Sequence, residues 1–153
     1  MADFHITDID LTKEGKAYLA ELQKLIDHEV RVGFEVGKHA YEDGTDLVAI
    51  AAFNEFGSSD TPARPFVKQS FELHENELMQ ICWAALNNIY NGGTAETSLK
   101  QIGVFVKGLM QQEIIDGDFE PNAPSTIKKK GSATPLIDTG FMRQNVEYSI
   151  KRV

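Results

Sequence analysis

The sequence predicts an α+β domain in which several helices pack on a small antiparallel sheet. Two long segments place apolar residues at helical spacing, and two short segments alternate apolar and polar residues as strands do. A chain of 153 residues suits a single domain with one core, so one domain is expected over residues 1–153. The apolar fraction of 42% is ordinary for a globular protein, and no apolar run is long enough to span a bilayer.

The first third of the chain predicts a helix, a strand and a short second helix. Thr12 can cap a helix over residues 12–27, although Gly15 stands where a capping box would place Glu or Gln. Residues 30–34 alternate in the manner of a half-buried strand. The alanine-rich residues 46–56 predict a helix that ends at Gly57, where a left-handed cap is favoured.

The middle of the chain predicts two long antiparallel helices, over residues 66–90 and 94–117. The short Asn91-Gly92-Gly93 link separates them and makes them neighbours. Cys82 and Trp83 lie inside the first helix, and both are expected to pack in the core. The apolar stripes are Val67, Phe71, Leu78, Cys82, Ala85 and Ile89 on the first helix, and Leu99, Ile102, Val106, Met110 and Ile114 on the second.

The last third predicts a long loop followed by a strand. Residues 118–140 are aperiodic and hold three prolines and a run of three lysines, Lys128, Lys129 and Lys130. Loops of this length are uncommon in compact domains and usually serve a function. Val146, Tyr148 and Ile150 then alternate as a strand does, and this strand is expected to pair with residues 30–34.

The sequence lacks the residue patterns of common catalytic, metal and cofactor sites. Its four histidines include no pair four residues apart on one helix, and its single cysteine excludes a multi-cysteine zinc site. It has no glycine-rich phosphate loop and no Gly-x-Ser-x-Gly elbow. Carboxylate pairs such as Glu75 and Glu77, or Asp116 and Asp118, are typical of a solvated face in so acidic a chain. The prediction is therefore no catalysis, no cofactor and no metal.

The formal net charge of −8 disfavours broad affinity for nucleic acid, which needs many lysines and arginines to displace counterions. An acidic wall still allows DNA to pass without gripping it. The run from Lys128 to Lys130 can contact a phosphate backbone. A solvated loop or an ion pair with an acidic neighbouring subunit is the preferred interpretation of that run.

Two segments are more distinctive than the rest of the chain. The first is Asn54-Glu55-Phe56-Gly57 followed by Pro62-Ala63-Arg64-Pro65-Phe66. The second is Pro135-Leu136-Ile137-Asp138-Thr139-Gly140-Phe141-Met142-Arg143, preceded by Asn122-Ala123-Pro124-Ser125-Thr126-Ile127.

Together, and in this order, these segments resemble the virion-morphogenesis and tail-completion proteins of tailed bacteriophages, a group that includes the HK97-type tail-component family. The resemblance covers residues 47–153, and the first forty residues carry little of it. It implies a small α+β subunit of a homo-oligomeric ring, of six copies, between the head connector and the tail tube or terminator. It further implies a virion protein assembled in the host cytoplasm, with DNA passing through and no membrane. Related folds serve as tail terminators and connectors, and the alternative roles of tail terminator and minor tail protein stay open.

Elementary chemistry gives the residues of both segments a loop-fixing or interface role. Pro62 and Pro65 pre-set an extended loop, and Arg64 can pair with a carboxylate on another loop or subunit. Phe66 is expected to anchor the following helix in the core. Asp138 or Thr139 can close a turn, and Gly140 can adopt a conformation that other residues resist. One sequence leaves open whether these contacts lie within one subunit or between two.

Overall fold

Seven helices and one two-stranded sheet make up the part of the chain that the computed structural model describes, residues 11–131, 133–136 and 140–153. The α+β prediction is thereby confirmed. No helix among these residues is long and apolar enough to cross a membrane. In chain order the elements are α1 Lys13–Ile26, β1 His28–Gly33, α2 Leu47–Phe56, α3 Phe66–Glu72, α4 Glu75–Tyr90, α5 Ala95–Asp116, α6 Pro124–Lys130, α7 Phe141–Gln144 and β2 Glu147–Arg152.

The sheet consists of β1 and β2, paired antiparallel as predicted. Val30 lies opposite Ile150, and Val32 lies opposite Tyr148. Helix α5 packs across both strands. At Gly103 an added Cβ would lie 2.3 Å from the Tyr148 ring. A side chain at position 103 would therefore force either the Tyr148 ring or the helix to shift.

Side-chain caps fix the starts of three helices where the sequence places them. The Thr12 hydroxyl accepts from the Gly15 N–H at 3.1 Å and begins α1. Asp46 accepts from the Val48 N–H at 2.7 Å and begins α2. Thr94 accepts from the Thr97 N–H at 3.2 Å and begins α5. Since each cap satisfies a backbone donor that the helix cannot, these boundaries follow from local chemistry.

The single helix predicted over residues 66–90 is wrong, because α3 and α4 are separate. The Leu73 N–H donates to the Gln69 carbonyl at 3.0 Å and closes α3. His74, at φ −118° and ψ 26°, leaves helical geometry and precedes α4 without a side-chain cap. Both helices pack on α5, so tertiary contacts favour the corner over a continuous helix.

The core brings together buried side chains of α2, α3, α5 and α7. Phe66, at the start of α3, is completely buried and contacts the ring of Phe34 edge-on with centroids 6.2 Å apart. This position confirms the expected anchoring role of Phe66. The buried cluster comprises Leu47, Ala51, Phe66, Met110, Ile114, Leu136, Met142 and Val146.

The prediction of one long loop over residues 118–140 is also wrong, because α6 lies inside it. Pro124 occupies its first turn, where a missing N–H costs nothing, and Gly131 ends it at φ 71° and ψ 7°. The segment is fastened to the body through Asn122 and Leu136, both buried. Residues 132 and 137–139 lie outside the described part of the chain.

Candidate functional site

The corner between α2 and α3 is built by the first distinctive segment. Gly57 ends α2 at φ 73° and ψ −177°, a conformation that differs from the left-handed cap expected there. An added Cβ at Gly57 would lie 2.8 Å from the backbone nitrogen of Ala63 and 2.9 Å from the carbonyl of Thr61. The turn is closed by the Ser58 N–H, which donates to that carbonyl at 2.9 Å. Both the backbone angles and the available space therefore require glycine.

Arg64 fastens this corner from inside the subunit. Its backbone N–H donates to the Asn54 carbonyl at 2.6 Å, and its Nε–H donates to the Glu120 carbonyl at 3.1 Å. The side chain is 6% exposed. Burial lowers the pKa of the Arg64 guanidinium, and the charge of the Glu120 carboxylate opposes that shift. These contacts favour the within-subunit role that the sequence left open for Arg64.

Glu55 and the two prolines complete the corner. The Glu55 carboxylate accepts from the Val67 N–H at 2.8 Å and from the Lys68 N–H at 3.0 Å, so it caps α3 from a neighbouring helix. Pro65, at φ −77° and ψ 64°, forms a γ-turn in which the Phe66 N–H donates to the Arg64 carbonyl at 2.8 Å. Pro62 is half-buried in the loop before it.

The same rigid corner presents two phenylalanines to solvent. Phe56 is 80% exposed, and Phe53, one helical turn earlier, is 59% exposed. Phe56 lies between Glu55 and Gly57, both of which are held by the contacts above. We call Phe53 and Phe56 the α2 aromatic pair.

The second distinctive segment meets the first at a shallow pocket. Leu136 is buried in the core, Pro135 is half-buried, and both line this pocket together with Asn54. Gly140 adopts φ 78° and ψ 5°, the left-handed conformation expected of it, and leads into α7. Asp138 and Thr139, expected to close the turn, lie outside the described residues. The structure thus brings the two segments together around α2.

The outer face of α4 carries an apolar stripe that includes two residues predicted to lie in the core. Cys82 is exposed and Trp83 is 61% exposed, whereas both were expected in the core. The core side of the helix instead presents Ala85 and Ile89, which are buried. The α4 outer stripe consists of Met79, Cys82, Trp83, Leu86 and Tyr90, at steps of three and four residues.

The stripe extends onto α1 through one ring contact. Tyr90, 75% exposed, meets Tyr18 edge-on with ring centroids 6.2 Å apart. The signal for this surface was present in the sequence as a second set of apolar positions on the same helix. The predicted core stripe of this helix is wrong at Cys82, which belongs to the exposed side.

The lysines of the predicted functional loop lie at the end of α6. Lys128 and Lys129 are exposed, and within the described part of the chain neither forms an ion pair. Lys130 ends the helix next to Gly131. Cations at this end of a helix interact favourably with its dipole, so Lys128 and Lys129 also have a structural use.

Two titratable groups of the described residues, Glu113 and His74, meet at the α3–α4 corner. Glu113 is 6% exposed, and burial raises the pKa of its carboxyl, opposed by His74 and reinforced by Asp116. His74 lies 4.0 Å from Glu113 and 3.5 Å from Glu77 at the α3–α4 corner. Among the described residues no three histidine, cysteine or carboxylate side chains converge as a metal site.

Comparisons with family models, with curated proteins and with solved structures give no match to this chain.

Proposed function

We propose that this chain is a non-enzymatic subunit of a ring in a tailed bacteriophage particle, a tail-completion (neck) protein that joins the head connector to the tail. The observation that carries the proposal is the exposure of two separate aromatic surfaces, the α4 outer stripe and the α2 aromatic pair, on a chain of 153 residues. Soluble monomers rarely expose large contiguous apolar patches, and such patches usually mark interaction sites.

Two different apolar surfaces suit a closed ring. In a head-to-tail contact each copy uses one surface on one side and a different surface on the other, and the ring closes when the rotation permits. A ring of six copies with a negatively charged wall would let DNA pass without binding it. The sequence resemblance supports this role, since its two segments converge on α2 and hold its exposed end rigid.

The deciding experiment deletes the gene from the phage or prophage genome that carries it and images the lysate by negative-stain electron microscopy. The expected result is DNA-filled heads and finished tails that fail to join, with joining restored by the wild-type gene. Normal infectious particles would overturn the proposal. Tails of uncontrolled length would instead identify a tail terminator, the neighbouring role that the resemblance leaves open.

A small DNA-binding module is the second candidate, favoured only by the exposed Lys128 and Lys129 at the end of α6. It predicts DNA binding whose affinity falls steeply as salt rises. A filter-binding series between low and physiological salt, with Lys128→Gln/Lys129→Gln as the matched variant, tests it. The overall charge of −8 leads us to expect no binding.

A further inference from the structure

The stretch Asn54–Glu55–Phe56–Gly57 combines fixed polar contacts with one large apolar side chain in solvent. The Asn54 carbonyl accepts a hydrogen bond from the Arg64 N–H, and the Glu55 carboxylate accepts one from the Val67 N–H. The backbone of neighbouring residues leaves no room for a side chain at Gly57. Phe56 sits among them and is 80% exposed. A side chain held on a rigid backbone loses little entropy when it is covered, which favours its use as an anchor.

The α4 outer stripe is an exposed apolar surface that an aromatic side chain such as Phe56 could cover. It contains no charged residue and is rich in the aromatic and methionine side chains that are enriched at protein interfaces. The carboxylates of α4, Glu75 and Glu77, lie in its first turn, before the stripe begins. An apolar cover over the stripe therefore buries no charged side chain without a partner.

From these two surfaces we infer that Phe56, together with Phe53, docks on the α4 outer stripe of a second copy of this chain. The inference rests on the proposed ring and names the contact that builds it. A pairing of the stripe with itself across a two-fold axis would leave Phe53 and Phe56 uncovered, whereas the head-to-tail contact covers both surfaces of each copy.

The area involved is consistent with a specific contact. An aromatic side chain buries about 150–250 Å². At the exposures of Phe53, Phe56, Trp83 and Tyr90, a contact that covers all four removes roughly 400–700 Å² of aromatic surface from water. That is a substantial part of the roughly 1,600 Å² of a standard protein–protein interface, the remainder coming from the polar rim.

The chain carries two native reporters on this surface, its single cysteine and its single tryptophan. Cys82 and Trp83 are adjacent on the stripe. On assembly the Cys82 thiol should react several-fold more slowly with a disulfide reagent, and the Trp83 emission should shift to shorter wavelength. Phe56→Asp should abolish both changes and leave the monomer's circular dichroism unaltered. Val36→Asp, at a position 78% exposed on neither surface, is the matched control and should leave both changes intact.

A cross-linking experiment tests the pairing itself. Ser58→Cys, at an exposed position two residues from Phe56, keeps the aromatic anchor and gives each copy two thiols, one at position 58 and the native one at Cys82. With a short bismaleimide, a head-to-tail contact should then yield a ladder of multimers that ends at the closed ring. The wild-type chain, with one thiol per copy, should yield no ladder, and neither should Val36→Cys. Wild-type dimers linked through Cys82 would show that the stripe pairs with itself, and would overturn the inference.

The remaining outcomes separate this contact from the proposed function. Rings seen by electron microscopy in which Cys82 reacts at the monomer rate would overturn the contact and leave the ring role standing. Protection of Cys82 that is independent of concentration would show that the chain covers its own stripe, which also overturns the contact. If the purified chain stays monomeric, maleimide labelling of Cys82 in intact particles decides instead, since free access there contradicts the contact. The gene deletion tests the proposed function separately, because normal infectious particles would overturn the ring role itself.

Discussion

Arg64 and Glu113 are charged residues with the same exposed fraction, 6% of the residue surface, and they lie at two different corners of one helical core. Arg64 donates from Nε to the Glu120 carbonyl. Glu113 has one carboxylate oxygen without a hydrogen-bond partner among the described residues, and its other oxygen lies 4.0 Å from Nε2 of the His74 imidazole. Burial moves the pKa of each group toward its neutral form, down for Arg64 and up for Glu113.

The difference shows that partners, rather than burial, decide what a buried charge does for stability. Desolvating either group costs several kcal/mol, and only well-placed hydrogen bonds offset that cost. At the α2–α3 corner the charge, the cap from Glu55 and the close turn at Gly57 support one another. At the α3–α4 corner the carboxylate of Glu113 is tolerated rather than used. The following substitutions test that contrast.

The largest effect is expected from Gly57→Ala, at the well-supported corner. We expect a loss of about 3 kcal/mol in the free energy of unfolding, because the backbone conformation is strained for alanine and the new methyl group meets backbone atoms. Urea denaturation measures it. Gly44→Ala is the matched control, since Gly44 also has a positive φ (83°) but open space around it. Equal losses for the two variants would show that close packing at Gly57 contributes nothing.

Arg64→Met should cost about 2 kcal/mol, because it leaves the Glu120 carbonyl without its donor inside the protein. Methionine keeps most of the apolar stem, so the loss reports the polar contact. Arg143→Met, at an exposed arginine, is the control and should change the free energy of unfolding little. A stabilised Arg64→Met variant would mean that desolvation outweighs the hydrogen bond, and the contrast with Glu113 would disappear.

Glu55→Gln should cost about 1 kcal/mol, since an amide is a weaker acceptor than a carboxylate for the two N–H groups at the start of α3. Thermal unfolding at pH 7 is sufficient to measure the loss. The exposed Glu72, at the opposite end of the same helix, provides the comparison. Glu72→Gln should leave stability unchanged or slightly raised, because a negative charge is unfavourable at a helix C-terminus.

The smallest expected effect is a gain: Glu113→Gln should stabilise the fold by about 0.5 kcal/mol at pH 7. The folded-state pKa of Glu113 is raised, so its protonated form is favoured in the folded protein. The cost of Glu113 is therefore absent below the unfolded-state pKa of about 4.3 and appears as pH rises through the higher folded-state value.

Measuring the free energy of unfolding at a series of pH values tests this prediction. The value for Glu113→Gln should exceed that of the wild type at neutral pH, and the difference should vanish toward pH 4. The control is Glu77→Gln, which removes a carboxylate that also faces His74 but is exposed. A gain of the same size for Glu77→Gln would assign the effect to His74 rather than to burial.

Those parts of the fold that depend on local chemistry could be predicted from the sequence. Thr12, Asp46 and Thr94 cap helices where expected, and the alternation around Val30 and Ile150 predicts two strands that do pair. Pro124 and Gly131 also bracket α6 in the manner typical of a helix, although their signal was missed among the neighbouring prolines and lysines.

The parts that depend on tertiary contacts could not be predicted. The break at His74 has neither a glycine nor a proline, nor a side-chain cap, so only packing on α5 reveals it. Helix α4 is apolar on two sides, and periodicity alone cannot tell which side faces the core. For the same reason the sequence identified the residues around Arg64 but not their partner, because the Glu120 carbonyl is a backbone group that any residue could supply.

The pairing of β1 with β2 joins residues 28–33 to residues 147–152, with helices α2 to α7 between them in the chain. During translation β1 therefore emerges from the ribosome long before its partner exists, and α1 to α7 can begin to collapse around a strand with both edges unpaired. Contacts between such distant residues are slow to form, and unpaired edges favour association with other chains. Emergence of β2 thus becomes the step that covers one edge of β1 on newly made protein.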